Sequence, residues 1–211
     1  SPKAQTTRHR IMGIYSDEQY QIVFSDTPGV IEPKYPLHES MMDFVDQSLE
    51  DADVVIIMVE LGEKNIAEPI KLRLQNLKIP KLVLINKIDL GSQEEVMNKI
   101  NFWINEFPDA IKVLPVSALN YFNTPEVLDI IKSLMPENPP YFDKEQLTDK
   151  SERFIASEII REKIFMRYEK EIPYSVEVEI ESFKEEDDII HISAVIYVER
   201  EGQKGILIGQ K

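Results

Sequence analysis

Leu82-Val83-Leu84-Ile85-Asn86-Lys87-Ile88-Asp89 is the stretch that decides how this chain folds. Four consecutive apolar residues leave no polar face, as in a strand covered on both sides in a parallel sheet. Asn-Lys-x-Asp then closes the run and delivers a carboxylate to the C-terminal end of a buried strand, where open α/β sheets bind ligands. Guanine offers two adjacent donors on one edge, N1–H and the exocyclic amine, and one carboxylate accepts both. Adenine has no such pair and would leave Asp89 without donors. A buried polar group left without its bond costs about 1–3 kcal/mol, and a charged one more.

Working outward, Gln21-Ile22-Val23-Phe24-Ser25 reads as a second strand, followed by Asp26-Thr27-Pro28-Gly29, sixty residues ahead of Asn86. At such a turn Asp26 would hold Mg²⁺, usually through a bound water, and the Gly29 N–H would approach a γ-phosphate, a closeness that a residue without Cβ permits. Asp-x-x-Gly alone is an ordinary strand-ending turn. Paired with Asn-Lys-x-Asp on another strand end, it reads as a guanine-nucleotide switch. Ser117-Ala118-Leu119 follows the expected strand 111–116, and its N–H groups stand to donate to guanine O6 as the third wall of a base pocket. Ahead of the first strand lies Lys3-Ala4-Gln5-Thr6-Thr7-Arg8-His9-Arg10. A threonine hydroxyl here would ligate Mg²⁺ only while γ-phosphate is present, and its release on hydrolysis is the switch. Thr7, beside the basic triplet, is the preferred ligand and Thr6 the second.

Composition narrows the classes. With 211 residues there is room for one large domain or two modest ones. A net charge of −14, from 38 acidic and 24 basic side chains, repels polyanions over most of the surface. It excludes indiscriminate coating of nucleic acid, though not a local basic patch. The absence of cysteine excludes disulfides and thiolate metal sites. No apolar run approaches the roughly 20 residues that span a bilayer. His9, His38 and His191 lie far apart in sequence and read as structural or solvent-facing.

Strands are expected at 11–15, 20–25, 53–59 and 82–85 as well as 111–116. Helices are expected at 39–50, around Ile70-Leu74-Leu77, at 93–107 with Trp103 in the core, and from Thr124-Pro125 onward, where an N-cap precedes a first-turn proline. The alternation predicts a doubly wound, mostly parallel α/β domain over 1–135. Pro136-Glu137-Asn138-Pro139-Pro140 opens a linker, 136–150. Beyond it a smaller α+β unit, 151–211, begins with a helix over 152–169, with Phe154, Ile155, Ile159 and Phe165 among its buried candidates. A strand follows in which Val176, Val178 and Ile180 alternate with Glu177, Glu179 and Glu181, the glutamates solvated. Glu185-Glu186-Asp187-Asp188 is the expected turn, and Ile189–Val198 the returning strand. The second unit thus reads as α–β–β, with Gly205-Ile206-Leu207-Ile208-Gly209 trailing from it.

On these stretches the chain resembles the Era family of bacterial GTPases, in which a P-loop-type GTPase domain precedes a KH RNA-binding domain. The carrying residues are 3–10, Asp26-Thr27-Pro28-Gly29-Val30, Asn86-Lys87-Ile88-Asp89, Val116-Ser117-Ala118, and, in the second unit, 156–164, 173–178 and 198–204. The resemblance implies a GTPase that binds GTP/GDP and Mg²⁺, binds the 3′ region of 16S ribosomal RNA and assists assembly of the small (30S) subunit. It further implies a cytoplasmic monomer with peripheral association to the inner face of the cell membrane. Carried onto this sequence, the nucleotide-binding residues are Asp26, Thr27, Pro28, Gly29, Val30, Asn86, Lys87, Ile88, Asp89, Ser117, Ala118 and Leu119. The metal ligands are Thr7 and Asp26, and the RNA-contacting residues are Lys204, Gly209, Gln210 and Lys211. No catalytic residue is singled out.

Two departures accompany the match. The family's Gly-x-x-x-x-Gly-Lys-Ser loop, which cradles the β- and γ-phosphates, is not among these residues. Gly209-Gln210-Lys211 looks like the opening of the KH Gly-x-x-Gly loop, without its second glycine. Both ends therefore read as cuts inside functional loops of a longer protein, and the expectation is that the residues given bind GTP weakly or not at all. Val30 also stands where related switches carry a water-orienting glutamine, so hydrolysis is expected to be slow alone. The rival reading is a non-catalytic RNA-binding module on a degenerate GTPase-like scaffold.

Overall fold

A computed structural model describes residues 9–28, 36–168 and 172–209, with backbone alone at 36–41. Its first element is an antiparallel hairpin, β1 (Ile11–Ser16) and β2 (Gln21–Asp26), in which Ile11 faces Asp26. Helix α1 (Pro36–Glu50) follows, then β3 (Val55–Glu60), α2 (Glu68–Asn76), β4 (Lys81–Asn86), α3 (Gln93–Glu106), β5 (Lys112–Pro115) and α4 (Thr124–Leu134).

Strands β3, β4 and β5 form a parallel sheet with β4 in the middle. The apolar run on β4 is there because that strand has no wet side. Val83 and Ile85 point into one core with Trp103 and Phe107, against partly buried residues of α1, α2 and α3. Leu82 and Leu84 point into the cores on the other face, with Ile22 of the hairpin and Ile131 of α4. Each such side chain contributes about 1.5–3 kcal/mol on burial. Helices on both faces give the doubly wound α/β arrangement expected from the alternation. Helix α3 starts on a capping box in which Ser92 and Glu95 bond reciprocally. Trp103 is fully buried, as expected.

The residues from 136 to 150 carry no helix or strand, yet they are strapped to the hairpin. Ile14 N–H donates to the Leu147 carbonyl at 2.8 Å, and Met12 N–H to Asp149 Oδ1 at 2.9 Å. Gly13 and Thr148 form an isolated bridge. Gln21 binds Phe142 through its own amide, donating to the carbonyl at 2.9 Å and accepting from the N–H at 2.9 Å.

The second unit comprises α5 (Glu152–Arg167), the antiparallel pair β6 (Val176–Glu186) and β7 (Ile189–Val198), and α6 (Glu201–Ile208). Its own core joins Ile164, Ile172, Val176 and Val178. Glu177, Glu179 and Glu181 are exposed, as the alternation required. Three expectations need correction. Ile155 and Ile159 are exposed, because the buried stripe of α5 runs through Arg161, Ile164 and Phe165. Glu185 and Glu186 belong to β6, since a two-residue turn at Asp187-Asp188 suffices when Glu186 faces Ile189. Residues 201–208 form a helix, so the unit is α–β–β–α. The Arg200 N–H donates to Gln203 Oε1 at 3.0 Å at its start. Gly209 ends the helix at φ 80°, where glycine carries no Cβ penalty.

Candidate guanine-nucleotide and RNA sites

Strand β4 ends at Asn86, and the chain turns sharply. Lys87 takes the left-handed conformation (φ 63°), sparsely populated by residues with a Cβ, and Ile88–Leu90 close a 3₁₀ turn that carries Asp89 outward. Asn86 makes the turn hold. Its Oδ1 accepts from the Lys87 N–H at 2.8 Å and from the Ala118 N–H at 3.1 Å, tying the end of β4 to the segment after β5. The Lys87 ammonium pairs with Glu60 at the end of β3.

From the other side, Val116 N–H donates to the Ile85 carbonyl at 2.8 Å and extends the β4–β5 ladder by one bond. Ser117 is buried, and its hydroxyl donates to Asp89 Oδ1 at 2.5 Å. The following loop is closed by mutual bonds between Ser117 and Phe122, at 3.3 and 3.0 Å. Asp89 itself is exposed, and its Oδ2 takes no donor among the described residues. One carboxylate oxygen is thus anchored and its neighbour faces outward, an arrangement suited to a ligand edge carrying two N–H groups.

Asn86, Asp89, Ser117 and Ala118 are therefore brought together, although 28 residues separate the carboxylate from its anchoring serine. One detail escaped sequence reasoning. Of the three N–H groups expected to face guanine O6, that of Ser117 bonds to Phe122 and that of Ala118 to Asn86. Of these three, the Leu119 N–H has no partner among the described residues, and Leu119 is exposed. A carbonyl arriving here takes the Leu119 N–H directly or displaces Asn86 from Ala118. No signal in the sequence foretold the Asn86–Ala118 bond, because it depends on how β4 and β5 align. A cavity of about 580 Å³ nearby is lined by Glu60, Leu61, Lys87, Lys99 and Phe102 among others, but by neither Asp89 nor Ser117. It lies beside the Asn86–Asp89–Ser117 cluster rather than within it.

Asp26 is the last residue of β2 and is exposed, Thr27 is half-buried and Pro28 is buried. The strand end is pinned by Arg10, whose Nε donates to Ser25 Oγ at 2.8 Å while the guanidinium pairs with Asp51 at 2.8 Å. Thr6, Thr7, Gly29, Val30, Gln210 and Lys211 lie outside the described residues. No group of three acidic or histidine side chains able to hold a metal occurs among the described residues. In the second unit, Lys204 is exposed on α6 within 3.4 Å of Glu201, five residues before Gly209.

Comparison with known proteins decides the family. The chain matches the 50S ribosome-binding GTPase family over residues 1–87 and the KH domain family over residues 171–211. A curated relative, GTPase Era of Geotalea daltonii, is 45% identical over 214 residues, which covers all of this chain and 72% of the relative. The chain belongs to the Era family of GTPases. Among solved structures it is similar to a point variant of Aquifex aeolicus Era bound to GDP·AlF₄⁻, with a TM-score of 0.90 and 37% identity over the whole of this chain and 73% of that one. It is equally similar to Era in complex with MgGDPNP and nucleotides 1506–1542 of 16S ribosomal RNA, with a TM-score of 0.91, 37% identity and the same coverage. An Era-family chain, then, places a GTPase-type α/β unit ahead of a KH unit.

Proposed function

We propose that this chain is the body of a GTP-operated switch that binds the 3′ region of 16S ribosomal RNA and assists assembly of the small ribosomal subunit. Residues 1–135 form the GTPase unit, 136–150 the linker and 151–211 the RNA-binding unit. The observation that carries the nucleotide reading is Asp89, an exposed carboxylate held by Ser117 through one of its two oxygens. Asp89 and Leu119 read the guanine edge, and Asn86 holds the loop that presents Leu119. The exposed Asp26 carboxylate and Thr7 hold the ion that neutralises charge on the phosphates. Nucleotide binding changes the contact between the two units, and the change reaches the RNA-binding unit, where Lys204, Gly209, Gln210 and Lys211 meet the nucleic-acid backbone. Relatives solved with GDP·AlF₄⁻ and with MgGDPNP and an RNA segment support this reading. Cytoplasmic placement and peripheral contact with the inner membrane face rest on family resemblance alone. No helix among the described residues is long and apolar enough to cross a membrane.

The test is a change of base preference in the intact polypeptide carrying the glycine-rich phosphate loop. Asp89→Asn replaces a double acceptor with a group that also donates, so affinity should move from GTP toward XTP. Unchanged GTP affinity would remove Asp89 from the base site. Phosphate release from GTP with Mg²⁺, stimulated by the RNA segment, separates the switch from a non-catalytic RNA-binding module, which releases none.

A further inference from the structure

His9 stands where the two units touch. Its ring meets Phe154, in the first turn of α5, edge-on at 5.7 Å between centroids, and Phe44 of α1 at 6.2 Å. In sequence His9 lies two residues after Thr7, and α1 is the first helix after Asp26-Thr27-Pro28-Gly29. One ring therefore contacts a helix placed directly downstream of one proposed phosphate-facing stretch, adjoins the other in the chain, and rests on the helix that opens the RNA-binding unit.

A second tie runs beside it. Met12 N–H holds Asp149 Oδ1 at 2.9 Å, Asp149 pairs with Lys150 at 2.8 Å, and the Lys150 ammonium lies 5.6 Å over the Phe154 ring. Ser151 caps α5 by accepting from the Phe154 N–H at 3.3 Å. Met12 follows Ile11, the residue that faces Asp26 across the hairpin. Both routes out of the nucleotide-facing end of the hairpin thus converge on the ring of Phe154, through different partners.

We propose that His9 is a positioning residue that transmits nucleotide state to α5, its ring acting on Phe154 while the Met12–Asp149 bond fixes the strap beside it. The inference rests on the guanine-nucleotide reading of the preceding subsection. A ligand shifts an equilibrium only as far as its affinities for the two states differ, so some contact must differ between them. The aromatic contact suits that role because it is small, partly exposed and free of the main cores: it can be made or broken without unfolding either unit.

The experiment is hydrogen exchange across residues 141–160 of the intact protein, saturated with GDP or with a non-hydrolysable GTP analogue, for the parent, His9→Ala, His9→Phe and Phe154→Leu. The parent should show exchange rates in this segment that differ between the two states by about fivefold or more, the lower end of ordinary allosteric coupling. His9→Ala and Phe154→Leu should collapse the difference to less than about twofold while binding GDP as the parent does, and His9→Phe, which keeps a ring, should retain it. A merely structural contact would alter exchange equally in both states. If His9→Ala keeps the parent's difference, or the parent shows none although it binds both nucleotides, the coupling is overturned and the guanine site stands. If the parent binds neither nucleotide, both fall together.

Discussion

Ser117 Oγ donates to Asp89 Oδ1 at 2.5 Å, and that bond turns two loop segments into one site. The hydroxyl is buried and the carboxylate exposed, so the serine is a fixed peg and, in the proposed site, the aspartate is the part that would meet the base. Ser117→Ala should lower guanine-nucleotide affinity about tenfold, near 1.4 kcal/mol, as expected when a bond to a charged group is partly replaced by water. Titration with a fluorescent GDP analogue checks this, and an affinity within about twofold of the parent would show that Asp89 needs no peg.

Asn86 carries the second prediction. Its Oδ1 accepts from both Lys87 and Ala118. Asn86→Ala removes both bonds and should cost about 1–3 kcal/mol of stability by urea unfolding. Amide exchange at Ala118 should quicken more than exchange on β5, because the loop loses its tie while the strand keeps its ladder.

Lys81 is buried, donating to the Leu77 carbonyl at 2.6 Å and pairing with Asp109 at 2.7 Å. The Lys81 ammonium holds the Asp109 carboxyl below its ordinary value, against the opposing effect of burial. Asp109→Ala should destabilise by about 1–2 kcal/mol, less than a fully buried pair because the aspartate side is half in water. Lys81→Met, which fills similar volume without a charge, should cost less than Lys81→Ala. Equal losses for the two Lys81 variants would contradict a packing role for its stem.

Asp17 and Lys132 supply a pH dependence. Their side chains meet at 2.6 Å, and the ammonium also lies 5.1 Å over the ring of Tyr15 and 5.2 Å over that of Tyr20. The bond to Lys132, then the N–H groups of Gln19 and Tyr20, hold Asp17 well below the usual carboxylate range. Asp17, and next Tyr15, push Lys132 up. A depressed carboxylate stabilises above its unfolded value, about pH 4, and that stability is lost as pH falls through the folded value. The raised lysine stabilises below its unfolded value, about pH 10.4, and its share is lost as pH rises beyond the folded value. Asp17→Asn should therefore lower Tm at neutral pH, and the gap to the parent should narrow on acidification below about pH 4. A gap that stays constant from neutral pH down into strong acid would rule out the linkage.

Lys204 tests the RNA face through salt. Each phosphate that a cation neutralises adds about 0.7 to the steepness of log K against log[salt] for single-stranded RNA. Lys204→Ala should flatten the slope by that amount with the intact protein and a 16S 3′ segment. An unchanged slope takes this side chain out of the interface, leaving it to its exposed pair with Glu201.

Much was legible because it was local. Leu82–Ile85, too short for a helix of its own and bounded by Pro80 and the Asn-Lys-x-Asp turn, reads as a strand with both faces covered, and the motif after it lands at the strand's end. The period-two pattern at Val176–Ile180 left no choice of buried face. Helix α5 was harder: Ile155 and Ile159 are as apolar as Ile164, and only the position of β6 selects which stripe is covered. Residues 201–208 carry two glycines, poor helix formers, and the helix exists through its end-capping bonds and the packing of Leu207 on the KH-type core.

The linear order of residues determined which chemical groups were available: the carboxylate of Asp89, the hydroxyl of Ser117, the amide of Asn86, and the strands that carry them. It did not determine which N–H groups face a base, because hydrogen bonds are exclusive and their pairing depends on distances between strands. Nor could it show His9 against Phe154, a contact between distant parts of the chain whose geometry exists only once the linker has been strapped along β1. Local propensity follows from neighbours in the chain, and the division of bonds among competing partners follows from neighbours in space.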